Sequence, residues 1–316
     1  MITRRNVVTG AAGLAGSLLV PKRAPAQSVG VPGKIIYSRS GDIWQWSNGN
    51  EDKLIADGAA TSPRWSPDGS QILFVRSGNS YSDLYIRSLS SGSDFQLTFN
   101  QPDSFDPGSK DYAENSVWAV DPSWASTGLI GYASDYYTPY GLLSLWLIDG
   151  PGNSPVLSAA YNVDQGVENI CLSSDGSVAA FTSRYADEDT AEYVSYVGIQ
   201  DLGSGEAFPL VDDPGGSFFP SIDPNGEQVA LTIRTGDQSD IWVVARDGGD
   251  RTPITDGAQA INPSYSSDGN WIGYFRMVDY RFELWATPVL NGTSGTAIKI
   301  VAADDLDPAS GISWQI

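Results

Sequence analysis

The chain has 316 residues, 41% of them hydrophobic and 11% aromatic, with 34 Gly and 19 Pro. That is enough apolar side chain for a sizeable core, at a length many all-β folds use as one domain. A formal charge of −20 excludes a nucleic-acid or anionic-lipid surface, which needs a basic footprint. With no histidine and a single cysteine, Cys171, the chain lacks Ser-His-Asp and Cys-His catalysis, the usual base near neutral pH, soft-metal ligand sets and an internal disulfide.

Residues 1–26 read as an export signal. Arg4-Arg5 is followed by a small, apolar run from Val7 to Val20, then by Lys22-Arg23 and an Ala24-Pro25-Ala26 cleavage site, the three regions of such a signal. The adjacent arginines before the apolar run resemble a twin-arginine signal. The run is too short for a stop-transfer helix, and no later segment is apolar enough to enter a membrane. Cleavage removes four cations and no acid, so the charge falls from −20 to −24. Residues 27–33 are expected to be a short linker.

From residue 34 onward no long stretch has apolar residues at helical spacing, which favours short strands and tight turns. Lys34-Ile35-Ile36-Tyr37, Ile43-Trp44-Gln45-Trp46 and Lys53-Leu54-Ile55 supply three strands. An anchor follows, Pro63-Arg64-Trp65-Ser66-Pro67-Asp68-Gly69, leading into Ile72-Leu73-Phe74-Val75. It recurs as Pro122-Ser123-Trp124-Ala125-Ser126-Thr127-Gly128, Ile170-Cys171-Leu172-Ser173-Ser174-Asp175-Gly176, Pro220-Ser221-Ile222-Asp223-Pro224-Asn225-Gly226 and Pro263-Ser264-Tyr265-Ser266-Ser267-Asp268-Gly269. Its turn glycines are 59, 48, 50 and 43 residues apart, the scale of a propeller blade. Asp-Gly or Asn-Gly between apolar runs is a hairpin signal, because glycine accepts the positive φ of the turn.

A third strand in most repeats opens with an acid, an aliphatic and an aromatic residue, as in Asp42-Ile43-Trp44, Asp83-Leu84-Tyr85, Asp240-Ile241-Trp242 and Glu283-Leu284-Trp285. Blade 3 offers Ser144-Leu145-Trp146, and blade 4 is irregular near Tyr193 to Val197. A short fourth strand closes the unit, as in Phe95-Gln96-Leu97-Thr98. The first repeat lacks an anchored first strand, and Gly311-Ile312-Ser313-Trp314 at the C-terminus supplies it. The predicted fold is therefore all-β: a six-bladed β-propeller over 34–316, of four-stranded antiparallel blades, closed by the C-terminal strand completing the first blade.

The Trp-Ser-Pro-Asp-Gly anchor, the Val-Arg or Ser-Arg strand ending and the Asp-Ile-Trp strand resemble the WD-repeat-like units of TolB-type propellers. The resemblance covers roughly residues 34–316, is strongest in blades 2, 5 and 6, and extends to the propeller only. It implies a protein-interaction module and carries little functional specificity of its own.

Arg39, Arg76, Arg184, Arg234 and Arg276 end second strands, and Asp42, Asp83, Asp240 and Glu283 open third strands. Their co-occurrence predicts an arginine-carboxylate bridge across each hairpin. The acidic clusters Asp103, Asp106, Asp111 and Asp187, Glu188, Asp189, Glu192 lack the spacing of a calcium loop and read as solvated loops. No cofactor is expected.

In an up-and-down blade, the loops between second and third strands and those between blades emerge on one face, where function is expected. Asn79-Ser80-Tyr81, Tyr185 and Asp279-Tyr280 belong there. A binding patch is predicted over blades 3 and 4 from Phe105, Tyr112, Trp118, Tyr136, Tyr137, Tyr140 and Tyr185, since Tyr and Trp give large contact area at low entropic cost. The leading expectation is a periplasmic or secreted, non-catalytic module whose partner is an exported or envelope protein. The alternative is a saccharide-binding or carboxylate-dependent polysaccharide-active propeller.

Overall fold

The computed structural model describes residues 30–102, 106, 109–136, 142–150, 152–158, 166–186, 192–290 and 293–316. The expected export signal, residues 1–26, lies outside them. Among the described residues no helix is long and apolar enough to cross a membrane.

Strands dominate, in six antiparallel sheets. Blade 1 holds β1 (Lys34–Arg39), β2 (Asp42–Ser47) and β3 (Asn50–Ile55). Blade 2 holds β4 (Ala60–Trp65), β5 (Gln71–Ser77), β6 (Ser82–Ser88) and β7 (Asp94–Gln96), and blade 3 holds β8 (Ala119–Trp124), β9 (Leu129–Ser134), β10 (Ser144–Asp149) and β11 (Val156–Leu157). Blade 4 holds β12 (Glu168–Leu172), β13 (Val178–Ala186), β14 (Tyr193–Asp201) and β15 (Ala207–Val211). Blade 5 holds β16 (Ser217–Ile222), β17 (Gln228–Thr235), β18 (Gln238–Ala245) and β19 (Arg251–Pro253). Blade 6 holds β20 (Ala260–Tyr265), β21 (Trp271–Val278) and β22 (Arg281–Leu290), with its outer edge divided between β23 (Thr293–Ser294) and β24 (Ile298–Ala302).

The last strand, β25 (Ile312–Gln315), pairs with β1 as the innermost strand of blade 1, with Lys34 opposite Gln315 and Ile35 opposite Trp314. The ring thus closes as the anchor at the C-terminus predicted. Val31 is buried in the same core cluster and Trp314 Nε1 donates to the Pro32 carbonyl at 3.0 Å, so the end of the expected linker is packed onto the propeller. Blade 4, irregular in sequence, forms a hairpin with continuous register from Val178 opposite Asp201 to Ala186 opposite Tyr193.

The second strands read as unbroken apolar runs because both faces of each sheet are covered by neighbouring blades, and alternate side chains enter different interfaces. In β5, Ile72 and Phe74 pack between blades 1 and 2, whereas Leu73 and Val75 pack between blades 2 and 3. One buried cluster fills each of the six interfaces. Each fully buried aliphatic side chain there contributes roughly 1.5–3 kcal/mol relative to exposure.

The anchor turns explain their own sequence. Ser66 Oγ donates to Asp68 Oδ1 at 2.7 Å and accepts the Gln71 N–H at 2.9 Å, while Asp68 also accepts the Ser70 N–H at 3.0 Å. Gly69, at φ +68°, donates to the Ser66 carbonyl. Asp175 with Gly176 and Asp268 with Gly269 repeat the arrangement through Ser173 and Ser266. Beside Asn225 and Gly226, Asp223 replaces the serine and accepts the Glu227 and Gln228 N–H groups itself. Gly128 turns at φ +95° without a neighbouring acid, Thr127 standing where the other turns have Asp or Asn. The anchor aromatics Trp65, Tyr265 and Trp314 are buried between blades, and Trp124 packs partly buried against the interface of blades 2 and 3.

The innermost strands share a bulge. Pairing shifts register between Thr61 and Arg64, Val120 and Ser123, Glu168 and Cys171, Phe218 and Ser221, and Ile261 and Ser264. Ser62, Asp121, Asn169, Phe219, Asn262 and Gly311 all take positive φ at the matching position. The proline that follows in four blades has no N–H to lose, which suits a bulged edge strand. After the bulge in four blades a small polar residue ties its blade to the next. Ser123 Oγ accepts the Leu172 N–H at 2.9 Å, Cys171 Sγ the Ile222 N–H at 3.3 Å, Ser221 Oγ the Tyr265 N–H at 3.1 Å and Ser313 Oγ the Trp65 N–H at 3.0 Å.

Candidate functional site

The face bearing the blade-to-blade crossovers is organised by the acids that open the third strands. Asp42 Oδ1 accepts the Asp57 and Gly58 N–H groups at 2.8 and 3.0 Å. Asp83 Oδ1 accepts the Asn100 N–H at 2.8 Å and the Thr98 hydroxyl at 2.9 Å. Asp240 accepts the Gly257 and Ala258 N–H groups and the Thr255 hydroxyl at 2.7–3.0 Å. Burial raises the Asp83 pKa while the Asn100, Thr98 and Gln96 donors pull it down. Asp42 is held low by Lys53 and then by the Asp57 N–H.

The predicted arginine-carboxylate bridge across each hairpin is therefore corrected. Arg39 and Asp42, Arg76 and Asp83, and Arg276 and Glu283 stand opposite one another in register, yet among the described residues no ion pair joins them. The crossover N–H groups need an acceptor and take the carboxylate, and the guanidinium stacks on an aromatic ring instead. Arg39 lies 4.8 Å from the Trp44 centroid, Arg76 4.1 Å from Tyr85, Arg276 5.2 Å from Trp285 and Arg234 5.7 Å from Phe218. The acid-aliphatic-aromatic strand thus serves two partners: its acid holds a crossover and, in blades 1, 2 and 6, its aromatic carries the arginine. Glu283 departs from the pattern, accepting from Trp285 Nε1 and Lys299. Arg184, without an opening acid in its third strand, bonds Glu168.

Among the described residues, exposed Tyr and Trp side chains are confined to this face. They are Trp118, Tyr136, Tyr185, Tyr193 and Tyr280, each in a crossover or at the meeting of second and third strands. Trp118 is fastened by its N–H to Asp135 Oδ1 at 2.8 Å, which joins the crossover into blade 3 to the hairpin carrying Tyr136. Tyr136 meets the Trp146 ring edge-on at 5.2 Å between centroids. Tyr185 packs 6.0 Å from Tyr196 and donates its hydroxyl to Asp212 Oδ1 at 3.0 Å. Tyr280 is 98% exposed at a hairpin tip where both Asp279 and Tyr280 take positive φ, a conformation costly for a bulky residue.

Of the predicted patch, Trp118, Tyr136 and Tyr185 present their rings to solvent, while Phe105, Tyr137 and Tyr140 lie outside the described residues. Tyr112 corrects the expectation of an exposed ring. It sits in a short helix, α1 (Lys110–Glu114), capped by Ser109 Oγ, and only 2% of it is exposed; it anchors the crossover instead of facing a partner. The reading of the residues missed Phe99 and Tyr193, 79% and 62% exposed on the same face. The signal for Phe99 was its place directly after the closing strand of blade 2. Among the described residues no three His, Cys, Asp or Glu side chains converge as a metal site; Asp103, Asp187, Glu188 and Asp189 lie outside them.

The same architecture recurs in solved structures. A TolB from Acinetobacter baumannii superposes with a TM-score of 0.68 at 17% identity, covering 89% of this chain and 66% of that one, so the present chain spans just under two thirds of its length. A structure assigned as TolB from Agrobacterium tumefaciens gives 0.59 at 18% identity, covering 85% and 88%. An oligogalacturonate lyase in complex with manganese gives 0.53 at 13% identity, covering 85% and 73%. No family model and no curated protein matches the chain. The likeness is one of fold: a six-bladed propeller of TolB type.

Proposed function

We propose that this TolB-type propeller is an exported, non-catalytic binding module that holds a protein partner on its crossover face. The observation that carries the reading is the confinement, among the described residues, of exposed Tyr and Trp rings to that one end. Such rings, set on a crossover and on hairpin ends of a rigid propeller, offer contact area at low entropic cost. The acidic composition favours a partner with a neutral or basic surface. The signal-like residues 1–26 support an oxidising, extracytoplasmic site of action, and the TolB-type fold is consistent with a binding role. The patch on blades 3 and 4 comprises Trp118, Tyr136 and Tyr185, with Phe105, Tyr137 and Tyr140 as further candidates from the sequence.

Photo-crosslinking in the producing cell tests this. A crosslinker at Trp118, Tyr185 or Tyr280 is expected to capture a discrete protein, and one at Asn225, on the opposite face, is not. Equal capture from both faces, or none from the crossover face together with saturable saccharide binding, would overturn the protein-partner reading in favour of a carbohydrate ligand.

A further inference from the structure

The central channel carries a feature the crossover face does not explain. The six inner strands enclose a cavity of about 190 Å³. At the position after each bulge five blades offer a small neutral side chain, Ser123, Cys171, Ser221, Ser264 and Ser313; blade 2 offers Arg64. An arginine in this ring breaks the repeat. It cannot accept the N–H of the next blade as its serine counterparts do.

Arg64 is only partly partnered. Its Nη1 donates to the Pro63 carbonyl at 2.8 Å and the Ser310 carbonyl at 3.2 Å. Among the described residues no hydrogen bond engages Nε or Nη2. Those two nitrogens form the side edge of the guanidinium, the edge that grips a carboxylate through two parallel N–H bonds. No carboxylate of the chain lies within ion-pair distance of it among the described residues. The acid that acts on it is Asp121 of blade 3, whose carboxylate accepts the Asn169 N–H at 2.7 Å. Burial lowers the Arg64 pKa and raises that of Asp121, the direction expected of charges set apart from water without direct pairing.

The serines add donors. Ser221 and Ser313 use their oxygens to accept the N–H of the next blade, which leaves each hydroxyl hydrogen to donate elsewhere. A cation with an open bidentate edge, sharing a polar channel with hydroxyl donors, is the composition of an anion site.

We propose that the channel binds a small carboxylate, held side-on by Nε and Nη2 of Arg64 and assisted by the serine hydroxyls of the ring. The cavity admits a molecule of a few heavy atoms or the carboxylate end of a larger one; on one side the Nη2 edge is approached by Gly311, where a Cβ would stand 3.5 Å away.

Calorimetric titration of the purified protein with acetate at constant ionic strength tests the site, with phosphate and chloride as separate arms. The expected result is saturable one-to-one acetate binding that weakens at least tenfold in Arg64→Gln and less in Arg64→Lys. No saturable binding, equal binding by Arg64→Gln, or phosphate preferred tenfold over acetate would overturn it. Because Arg64 also secures Ser310, a variant that fails to fold is replaced by a measurement on the unaltered protein. Crystals grown in acetate are expected to show a planar ligand on the Nε and Nη2 edge, and water alone in that position would overturn the proposal.

Discussion

Trp314, in the last strand, is the cross-strand partner of Ile35 in the first strand, and its ring packs 5.9 Å from that of Trp271 in blade 6. One residue therefore joins the two ends of the propeller and seals its last interface. Removing it leaves a cavity between blades, and removing its strand leaves two unpaired sheet edges.

Deleting residues 309–316 is accordingly expected to abolish cooperative unfolding or to cause aggregation, read by circular dichroism and light scattering. Trp314→Ala should lower the unfolding free energy by roughly 3–5 kcal/mol. An unchanged melting temperature in the truncated protein would contradict closure as the source of stability.

Arg76 stacks on Tyr85 and is hydrogen-bonded to Asp57 and Asp94, while Asp83 serves the crossover. A double-mutant cycle between Arg76 and Asp83 is expected to give coupling near zero, and one between Arg76 and Asp94 about 0.5–1 kcal/mol, given their partial exposure. Strong Arg76–Asp83 coupling would restore the hairpin bridge.

Acid should weaken the anchor turns. The serine hydroxyls and turn N–H groups hold the Asp68 and Asp175 carboxyls down at about 2, against about 3.9 in an unfolded chain. The folded value is the lower one, so the unfolded chain takes up the proton first. The contribution is complete above about pH 4 and disappears as the pH falls through about 2. Denaturant midpoints of the wild type should therefore fall more steeply from pH 4 to pH 2 than those of an Asp68→Asn, Asp175→Asn double variant; parallel profiles would contradict this.

Cys171 occupies a ring position that four other blades fill with serine, and its sulfur accepts the Ile222 N–H. Burial pushes its thiol pKa up, so native labelling by a thiol reagent at pH 8 should be slow and should become fast on unfolding. Cys171→Ser should change stability by less than about 1 kcal/mol, because a hydroxyl meets the same N–H in the neighbouring blades. Rapid native labelling would refute a thiol held in its protonated form.

Export makes a separate expectation. Replacing both Arg4 and Arg5 by lysine should leave unprocessed protein in the cytoplasm, detected by fractionation and immunoblotting, whereas export at the normal level would remove the twin-arginine reading.

The blade count, the turns and the closure were legible in the residues because each depends on contiguous chemistry. A Pro-x-aromatic strand end, a Ser-x-Asp-Gly turn and an apolar run form one local unit, and a repeat cut between the two ends of the chain shows itself as two complementary fragments. The crossover face was legible in outline for the same reason, since an up-and-down blade decides which loops share an end. The identity of exposed rings was not: Tyr112 and Trp118 are close in sequence, yet a five-residue helix buries one and leaves the other 40% exposed.

What tertiary structure decided is how charged groups chose among partners that sequence alone placed equally near. Arg39 stands opposite Asp42 in its own hairpin but bonds Asp305, 266 positions away, because Asp42 is already committed to the crossover N–H groups. Arg64 reaches Ser310 across 246 positions. Circular closure brings the first blades against the last, so a residue's electrostatic environment is set by chain segments that no local pattern connects to it. Residue patterning alone suffices for a closed ring of six blades; the packing of that ring sets which cation stands in its centre with an edge unpaired.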